Sequence, residues 1–242
     1  MMYVWLILGF VLLIKGADLF VDGSSSVARI FKVPAVIIGL TIVAMGTSAP
    51  ETAVSISAAV RGQNEIALSN VIGSNIFNLL VVVGICAAIK PVIPAKEIIR
   101  RDLPISLLCA VLLLVASLNL ALGRIEGIVL LLGFVIYIGY LVYTARKKPA
   151  ADTEENVRKM SPLKSALFIL IGIAGIVLGG QLVVNSASDI AASFGLSQTL
   201  IGLTIVAVGT SLPELVTSIV ASRKGENGLA LGNAIGSNIF NI

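Results

Sequence analysis

The sequence predicts an all-α integral membrane protein built as an inverted repeat, with about eight transmembrane segments. Three observations lead there. The 242 residues are 57% hydrophobic and only 12% charged, and the mean hydropathy is +1.03. A water-soluble domain of this size would carry about a quarter charged residues, so too little polar surface is available to face water. Apolar stretches long enough to cross about 30 Å of hydrocarbon recur throughout. Finally, one 41-residue stretch occurs twice.

The apolar stretches are read at 3–21, 37–60, 66–89, 103–122, 125–145, 163–184, 200–222 and 228–242. Span 1 has no positive leader and no small-residue cleavage site, so it is not read as a signal peptide. Lys15 and Asp18 lie toward its far end, where snorkelling or a mutual pair would explain them. Cys86 and Cys109 fall in or beside apolar spans and say nothing firm about redox compartment. Histidine is absent, which removes the commonest transition-metal ligand.

A pI near 9.2 with net charge +4 would suit a nucleic-acid binder, but the basic residues sit in short loops between spans. With the N-terminus outside, fourteen of the 17 Lys and Arg fall in inner loops, against Arg61 and Arg124 in outer ones. The positive-inside rule therefore predicts N-out. The one polar stretch of any length, 146–163, is expected to be a cytoplasmic linker. It would separate a first half at 1–145, with five spans, from a second at 164–242 that stops within its third.

Residues 38–78 and 201–241 align without a gap at an offset of 163, with 27 of 41 positions identical. The identities include Thr, Ser, Pro, Glu and Asn, so shared hydrophobicity does not explain them. Five spans separate equivalent points. An odd number inverts the second copy, giving a pseudo-two-fold axis in the membrane plane, as in many secondary transporters.

Each copy opens with Gly46-Thr47-Ser48-Ala49-Pro50-Glu51 or Gly209-Thr210-Ser211-Leu212-Pro213-Glu214. Proline inside a helix removes an N–H and clashes with the carbonyl four residues back, so a mid-span break is expected. A carbonyl freed in hydrocarbon needs a partner such as an ion or water. Glu51 and Glu214 are the acidic residues deep in their spans. Burying such a charge costs at least about 2.5–3.5 kcal/mol, and two facing carboxylates would need a cation between them.

A second helix in each copy is expected to begin near Gly73-Ser74-Asn75-Ile76-Phe77-Asn78 and Gly236-Ser237-Asn238-Ile239-Phe240-Asn241. Ser74 and Asn78 share a face at four-residue spacing, as do Ser237 and Asn241, Thr47 and Glu51, and Thr210 and Glu214. Carboxylate, amide, hydroxyl and carbonyl oxygens without sulfur or imidazole suit hard cations, Ca²⁺ above all. Asn75 and Asn238 are read as capping or bridging helices ahead of binding an ion, and Gly73 and Gly236 as helix-start or close-contact residues.

GTSAPE…GSNIFN and GTSLPE…GSNIFN resemble the two α-repeats of the cation/calcium antiporter superfamily, especially the bacterial and archaeal sodium/calcium exchangers. The resemblance implies an inverted-repeat transporter of ten helices, of which about eight are present and roughly two and a half would follow Ile242. It implies exchange of Na⁺ for Ca²⁺ by alternating access in a prokaryotic inner membrane, with spans 1 and 6 sliding past the rest. Carried over position by position, the ion ligands would be Glu51, Glu214, Thr47, Ser48, Thr210, Ser211, Ser74, Asn78, Ser237 and Asn241, with the carbonyls of Ala44 and Ala207. Asn241 stands where some relatives carry Asp, which leaves two formal charges and disfavours K⁺ co-transport.

No enzymatic nucleophile–base pair or phosphate loop is seen. No cofactor, nucleic acid or obligatory protein partner is expected, only Ca²⁺, Na⁺ and the bilayer. A cation channel, or a H⁺/Ca²⁺ antiporter with the same oxygen-lined site, is the alternative, although the GTS-x-PE form differs from the proton-coupled branch.

Overall fold

The computed structural model describes residues 1–118, 123–147 and 160–242. Most of the expected linker, 148–159, and the expected end of span 4, 119–122, lie outside the described residues. Every regular element among the described residues is helical. Helix α1 runs Met2–Ile30 and α2 Ala35–Thr47, which includes a π-helical turn at Gly39–Val43. Next come α3 at Ala49–Val60 and α4 at Asn64–Ile89, the latter with a π-turn at Asn78–Val82. A π-turn at Ile98–Asp102 leads into α5 at Leu103–Ala116, and α6 follows at Arg124–Lys147. In the second half α7 is Pro162–Ser193. The run made of Gln198–Ile201, the π-turn Gly202–Val206 and Ala207–Thr210 is α8. Leu212–Arg223 is α9 and Asn227–Asn241 is α10.

The apolar stretches fall on these helices, with 37–60 and 200–222 each covering a bent pair and 103–122 described only to 118. By length and composition four helices can cross a membrane, or six if each bent pair, α2 with α3 and α8 with α9, counts as one span. The polarity is inside out for a water-soluble protein. Leu107, Leu131, Leu170 and Val60 are more than 60% exposed, whereas Thr47, Ser48, Glu214, Ser218 and Asn233 are fully buried. Apolar side chains outward and polar ones inward is the arrangement a lipid solvent selects. The chain is an all-α integral membrane protein.

The longest contact is the antiparallel crossing of α1 with α7, made through glycine. A Cβ on Gly9 would lie 2.9 Å from Val183, one on Gly16 2.7 Å from Ile176, one on Gly172 2.7 Å from Phe20 and one on Gly179 2.5 Å from Leu13. These are two pairs of equivalent contacts: at the offset of 163, Gly9 maps on Gly172 and Val183 on Phe20, Gly16 on Gly179 and Ile176 on Leu13. The duplication therefore reaches beyond the matching motifs. It extends to the turn after each long helix, where Lys32 and Gly195 both have positive φ, 53° and 82°.

Helix α10 is the centre of the bundle, with Leu229 to Ile239 buried throughout. It lies against α2 backbone to backbone, since a Cβ on Gly39 would meet the Leu229 carbonyl at 2.6 Å and one on Gly232 the Val36 carbonyl at 2.5 Å. The α5–α6 hairpin covers the other side of α10, with Tyr137, Leu141 and Ala145 joining Ile98, Leu231, Ile235 and Ile239 in one apolar cluster. Among the described residues no such hairpin covers α4. Ile72 and Ile76, equivalent to the buried Ile235 and Ile239, are 46% and 53% exposed.

Two expectations are corrected. The second motif helices begin at Asn64 and Asn227, not near Gly73 and Gly236. Both glycines lie mid-helix, and Gly236 is a close-contact residue whose Cβ would sit 2.7 Å from Leu40. Asp18 pairs with Lys224 at 3.1 Å and not with Lys15, because Lys224 also reaches Asp22 at 2.6 Å from the turn after α9.

Candidate functional site

The proline motifs break their spans as the sequence implies. The bend is 50° between α2 and α3 and 49° between α8 and α9. Pro50 and Pro213 do not sit in a helix interior. Each lies in the first turn of a new helix, after Ser48 or Ser211 has left helical geometry. A missing N–H costs nothing there, because first-turn N–H groups have no intrahelical partner. Glu51 and Glu214 follow in the same first turns, where the positive end of the helix dipole favours a carboxylate.

The two glutamates are held crosswise. Ser48 Oγ, from the first motif, donates to Glu214 Oε1 at 2.6 Å. Ser211 Oγ, from the second, donates to Glu51 Oε1 at 3.1 Å and lies 3.2 Å from Ser74 Oγ. Each break thus carries both a carboxylate and the hydroxyl that orients the opposite carboxylate. Glu51 is 2% exposed and Glu214 fully buried.

Amides form the next layer. Asn75 Nδ2 donates to the Asn238 carbonyl at 3.1 Å, and Asn238 Nδ2 returns the bond to the Asn75 carbonyl at 3.2 Å. Asn78 Nδ2 donates to Asn238 Oδ1 and Asn241 Nδ2 to Asn75 Oδ1, both at 3.1 Å. Asn75 and Asn238 are bridges between α4 and α10. They turn the amide groups of Asn78 and Asn241 so that the oxygens are left over.

Those oxygens are the informative ones. Glu51 Oε2, Glu214 Oε2, Asn78 Oδ1, Asn241 Oδ1 and Ser237 Oγ are all buried without a hydrogen-bond partner. Leaving a buried polar atom unpaired costs about 1–3 kcal/mol, more for a charged one. Five of them on the two motif pairs make an oxygen set fit for a hard cation. Among the described residues no three Asp, Glu, Cys or His side chains come together, so charge at the site is limited to the two glutamates.

The remaining candidates are distributed unequally. Thr47, Ser48 and Ala44 are fully buried, and the Ala44 carbonyl accepts from Ser48 N at 3.0 Å. Ala207 is exposed and Thr210 half-buried. The Thr210 hydroxyl donates to the Ala207 carbonyl at 3.2 Å. Sequence reading missed Asn70 and Asn233. Asn70 Nδ2 donates to the Glu51 carbonyl at 3.1 Å and to Ser55 Oγ at 3.0 Å, and Asn233 Nδ2 to the Glu214 carbonyl at 3.3 Å and to Ser218 Oγ at 2.9 Å. Their signal was present: both are identical asparagines within the aligned repeat, facing the motif breaks one helix away.

Comparison with known proteins gives this arrangement its family. The family model described as sodium/calcium exchanger protein matches residues 1–143 and 164–242. The chain belongs to the sodium/calcium exchanger protein family. It is 44% identical over 245 residues to the putative antiporter CaxA of Alkalimonas amylolytica, covering 99% of this chain and 77% of that one. To the sodium/calcium exchanger MaX1 of Methanosarcina acetivorans it is 35% identical over 276 residues, covering 98% and 79%. A solved structure of the sodium-calcium exchanger NCX_Mj, soaked with Na⁺ and Ca²⁺, superposes with a TM-score of 0.87 at 36% identity, over 99% of this chain and 78% of that one. The family and the fold make this chain a transporter of the Na⁺/Ca²⁺ exchanger type, and the fold is that of NCX_Mj.

Proposed function

We propose that the protein exchanges Na⁺ for Ca²⁺ by alternating access, with the ions bound between Glu51 and Glu214. The observation that carries this reading is the set of unpaired buried oxygens around two crosswise-held carboxylates. Two carboxylates balance one Ca²⁺ or at least two Na⁺. Without a cation they place like charges in low dielectric, which opposes any step that seals them from water. Loaded states switch and empty ones do not, so flux is coupled. Ser48 and Ser211 fix the inner carboxylate oxygens, while Oε2 of each glutamate, the Asn78 and Asn241 oxygens and Ser237 Oγ contact the ion. The carbonyls of Ala44 and Ala207 and the hydroxyls of Thr47, Thr210 and Ser74 are further ligands on the faces beside it.

Alternating access needs one closed and one open face, and the two equivalent interfaces differ in that sense. Backbone contact closes α2 on α10, with a Cβ on Gly236 only 2.7 Å from Leu40. At the equivalent α8–α4 interface a Cβ on Gly73 or Gly202 would meet nothing within 4 Å. With the N-terminus outside, as the loop charges favour, α8 forms the outer half of its span, so the open face is extracellular.

The test is uptake of radiolabelled Ca²⁺ into proteoliposomes loaded with Na⁺. Uptake that requires internal Na⁺ and disappears in Glu51→Gln and Glu214→Gln supports the reading. Ca²⁺ entry independent of internal Na⁺ indicates a channel and refutes exchange.

A further inference from the structure

We infer that Asn233 and Asn70 are positioning residues that latch the site shut on one face at a time. The inference rests on the exchange reading above and adds to it a pair of residues and a hydrogen bond that changes hands. Within its own repeat each asparagine does the same work. Its Nδ2 group ties α4 or α10 to the carbonyl of the glutamate and to a serine one turn further on, Ser55 or Ser218. Neither residue bonds to the unpaired oxygens of Glu51, Glu214, Asn78, Asn241 or Ser237. Each holds the backbone from which one glutamate projects.

The difference lies in the side-chain carbonyl. Asn233 Oδ1 accepts from Thr47 Oγ1 of the opposite repeat at 3.0 Å, and Asn233 is fully buried. Its two N–H groups and its oxygen are all engaged, which is near the capacity of the amide. By the offset of 163 the equivalent of Thr47 is Thr210 and that of Asn233 is Asn70. Thr210 and Asn70 have the same chemistry, yet Thr210 gives its proton to the Ala207 carbonyl instead. The chain supplies the bond twice and makes it once.

The bond is made at the interface that is shut. Thr47 and Asn233 lie where Gly39 and Gly232 bring α2 and α10 into backbone contact, and Thr210 and Asn70 where Gly202 and Gly73 leave space. When the two repeats exchange environments, Thr210 closes on Asn70 as Thr47 leaves Asn233. Letting go costs Thr47 little, because its hydroxyl already lies 3.1 Å from the Val43 carbonyl and 3.3 Å from that of Ala44. It can fall back on its own helix as Thr210 does. The latch thus marks which face is closed without holding it so tightly that switching stops.

The experiment follows the face and not the flux. Ser69 is exposed and occupies the place equivalent to Gly232; its Cβ stops α8 short of the backbone contact that Gly232 allows, but approach of α8 to α4 still covers it. A Ser69→Cys probe, with Cys86→Ala and Cys109→Ala, is labelled by a water-soluble methanethiosulfonate in Na⁺ buffer without Ca²⁺, so that the loaded protein can still switch. Loss of the latch in Asn233→Ala is expected to slow labelling by up to about fivefold, the limit set by one buried hydrogen bond on a two-state balance. Asn70→Ala is expected not to slow it, because that latch is open in the structure. Thr47→Val should reproduce Asn233→Ala, and Thr47→Ser should restore the parent rate; this pair also decides the matter if Asn233→Ala does not fold. Equal slowing by both asparagine variants, slowing by Asn70→Ala alone, or no change with Thr47→Val overturns the proposal. Absence of Na⁺-dependent Ca²⁺ uptake in the parent overturns the exchange reading instead, and the labelling rates still report on the latch.

Discussion

Asn75 and Asn238 stand 163 residues apart and hold each other, each side-chain amide bonded to the other's main-chain carbonyl. A reciprocal bond between equivalent residues is what a two-fold axis produces when it passes between them. Around this axis the serine–glutamate pairs cross over, so each half supplies part of the other half's site.

Glu51→Gln and Glu214→Gln preserve shape and remove one buried charge. Na⁺-driven Ca²⁺ uptake is expected to fall by more than about tenfold, because ligand charge sets Ca²⁺ affinity. Thermal stability in Ca²⁺-free detergent should hold or rise, since a desolvated like charge is gone. A variant that keeps uptake would remove that glutamate from the site.

Ser48→Ala should weaken Ca²⁺ binding more than Ser211→Ala does. The Ser48 bond to Glu214 is 2.6 Å and the Ser211 bond to Glu51 3.1 Å. Hydrogen bonds to charged groups contribute about 1.5–3 kcal/mol, so losses from roughly tenfold to a hundredfold are expected. Calorimetric titration with Ca²⁺ orders the two; the reverse order would show that the shorter bond is not the stronger one.

Equivalent interfaces should respond unequally to one methyl group. Gly39→Ala places a Cβ 2.6 Å from the Leu229 carbonyl, whereas Gly202→Ala meets open space. The first should cost about 1–3 kcal/mol by overpacking. The second should be neutral or slightly stabilising through helix propensity. Melting temperatures in one detergent compare them directly.

The ion pairs near the end of α1 differ in worth. Arg29 and Glu226 meet at 2.6 Å with side chains 18% and 11% exposed. Lys224 and its partners Asp18 and Asp22 are about a third or more exposed. Arg29→Ala leaves a nearly buried carboxylate unpaired and should destabilise by about 2 kcal/mol. Lys224→Ala should stay within about 1 kcal/mol and become neutral at high salt. Unfolding at two salt concentrations separates them.

Much of the fold was legible because hydropathy and repetition are long-range signals. The eight apolar runs and the 163-residue offset define which helices exist and how they correspond, and Pro50 and Pro213 locate both breaks. The start of the motif helices was not legible from GSNIFN. The helix runs back through Asn64–Asn70, where the Asn70 amide is satisfied by the Glu51 carbonyl and Ser55 on α3, a tertiary effect. The partner of Asp18 was hidden for the same reason, being 206 residues away in Lys224. At the site, residue types indicated a hard cation, but not that Ser48 serves Glu214 and Ser211 serves Glu51. Crossing of that kind depends on how the two halves dock, which spacing within one motif cannot reveal. The unequal fates of Thr47 and Thr210 were beyond reach as well, since identical motifs differ there only in conformation.

The seam between α1 and α7 has a mechanical consequence. Phe20 and Val183 are seated in notches left by Gly172 and Gly9, and Leu13 and Ile176 in those of Gly179 and Gly16. Two rods keyed together at four points cannot creep along one another by fractions of a turn. Any displacement of one would therefore be shared by the other, and a push received near either water boundary would be delivered by its mate at the opposite one.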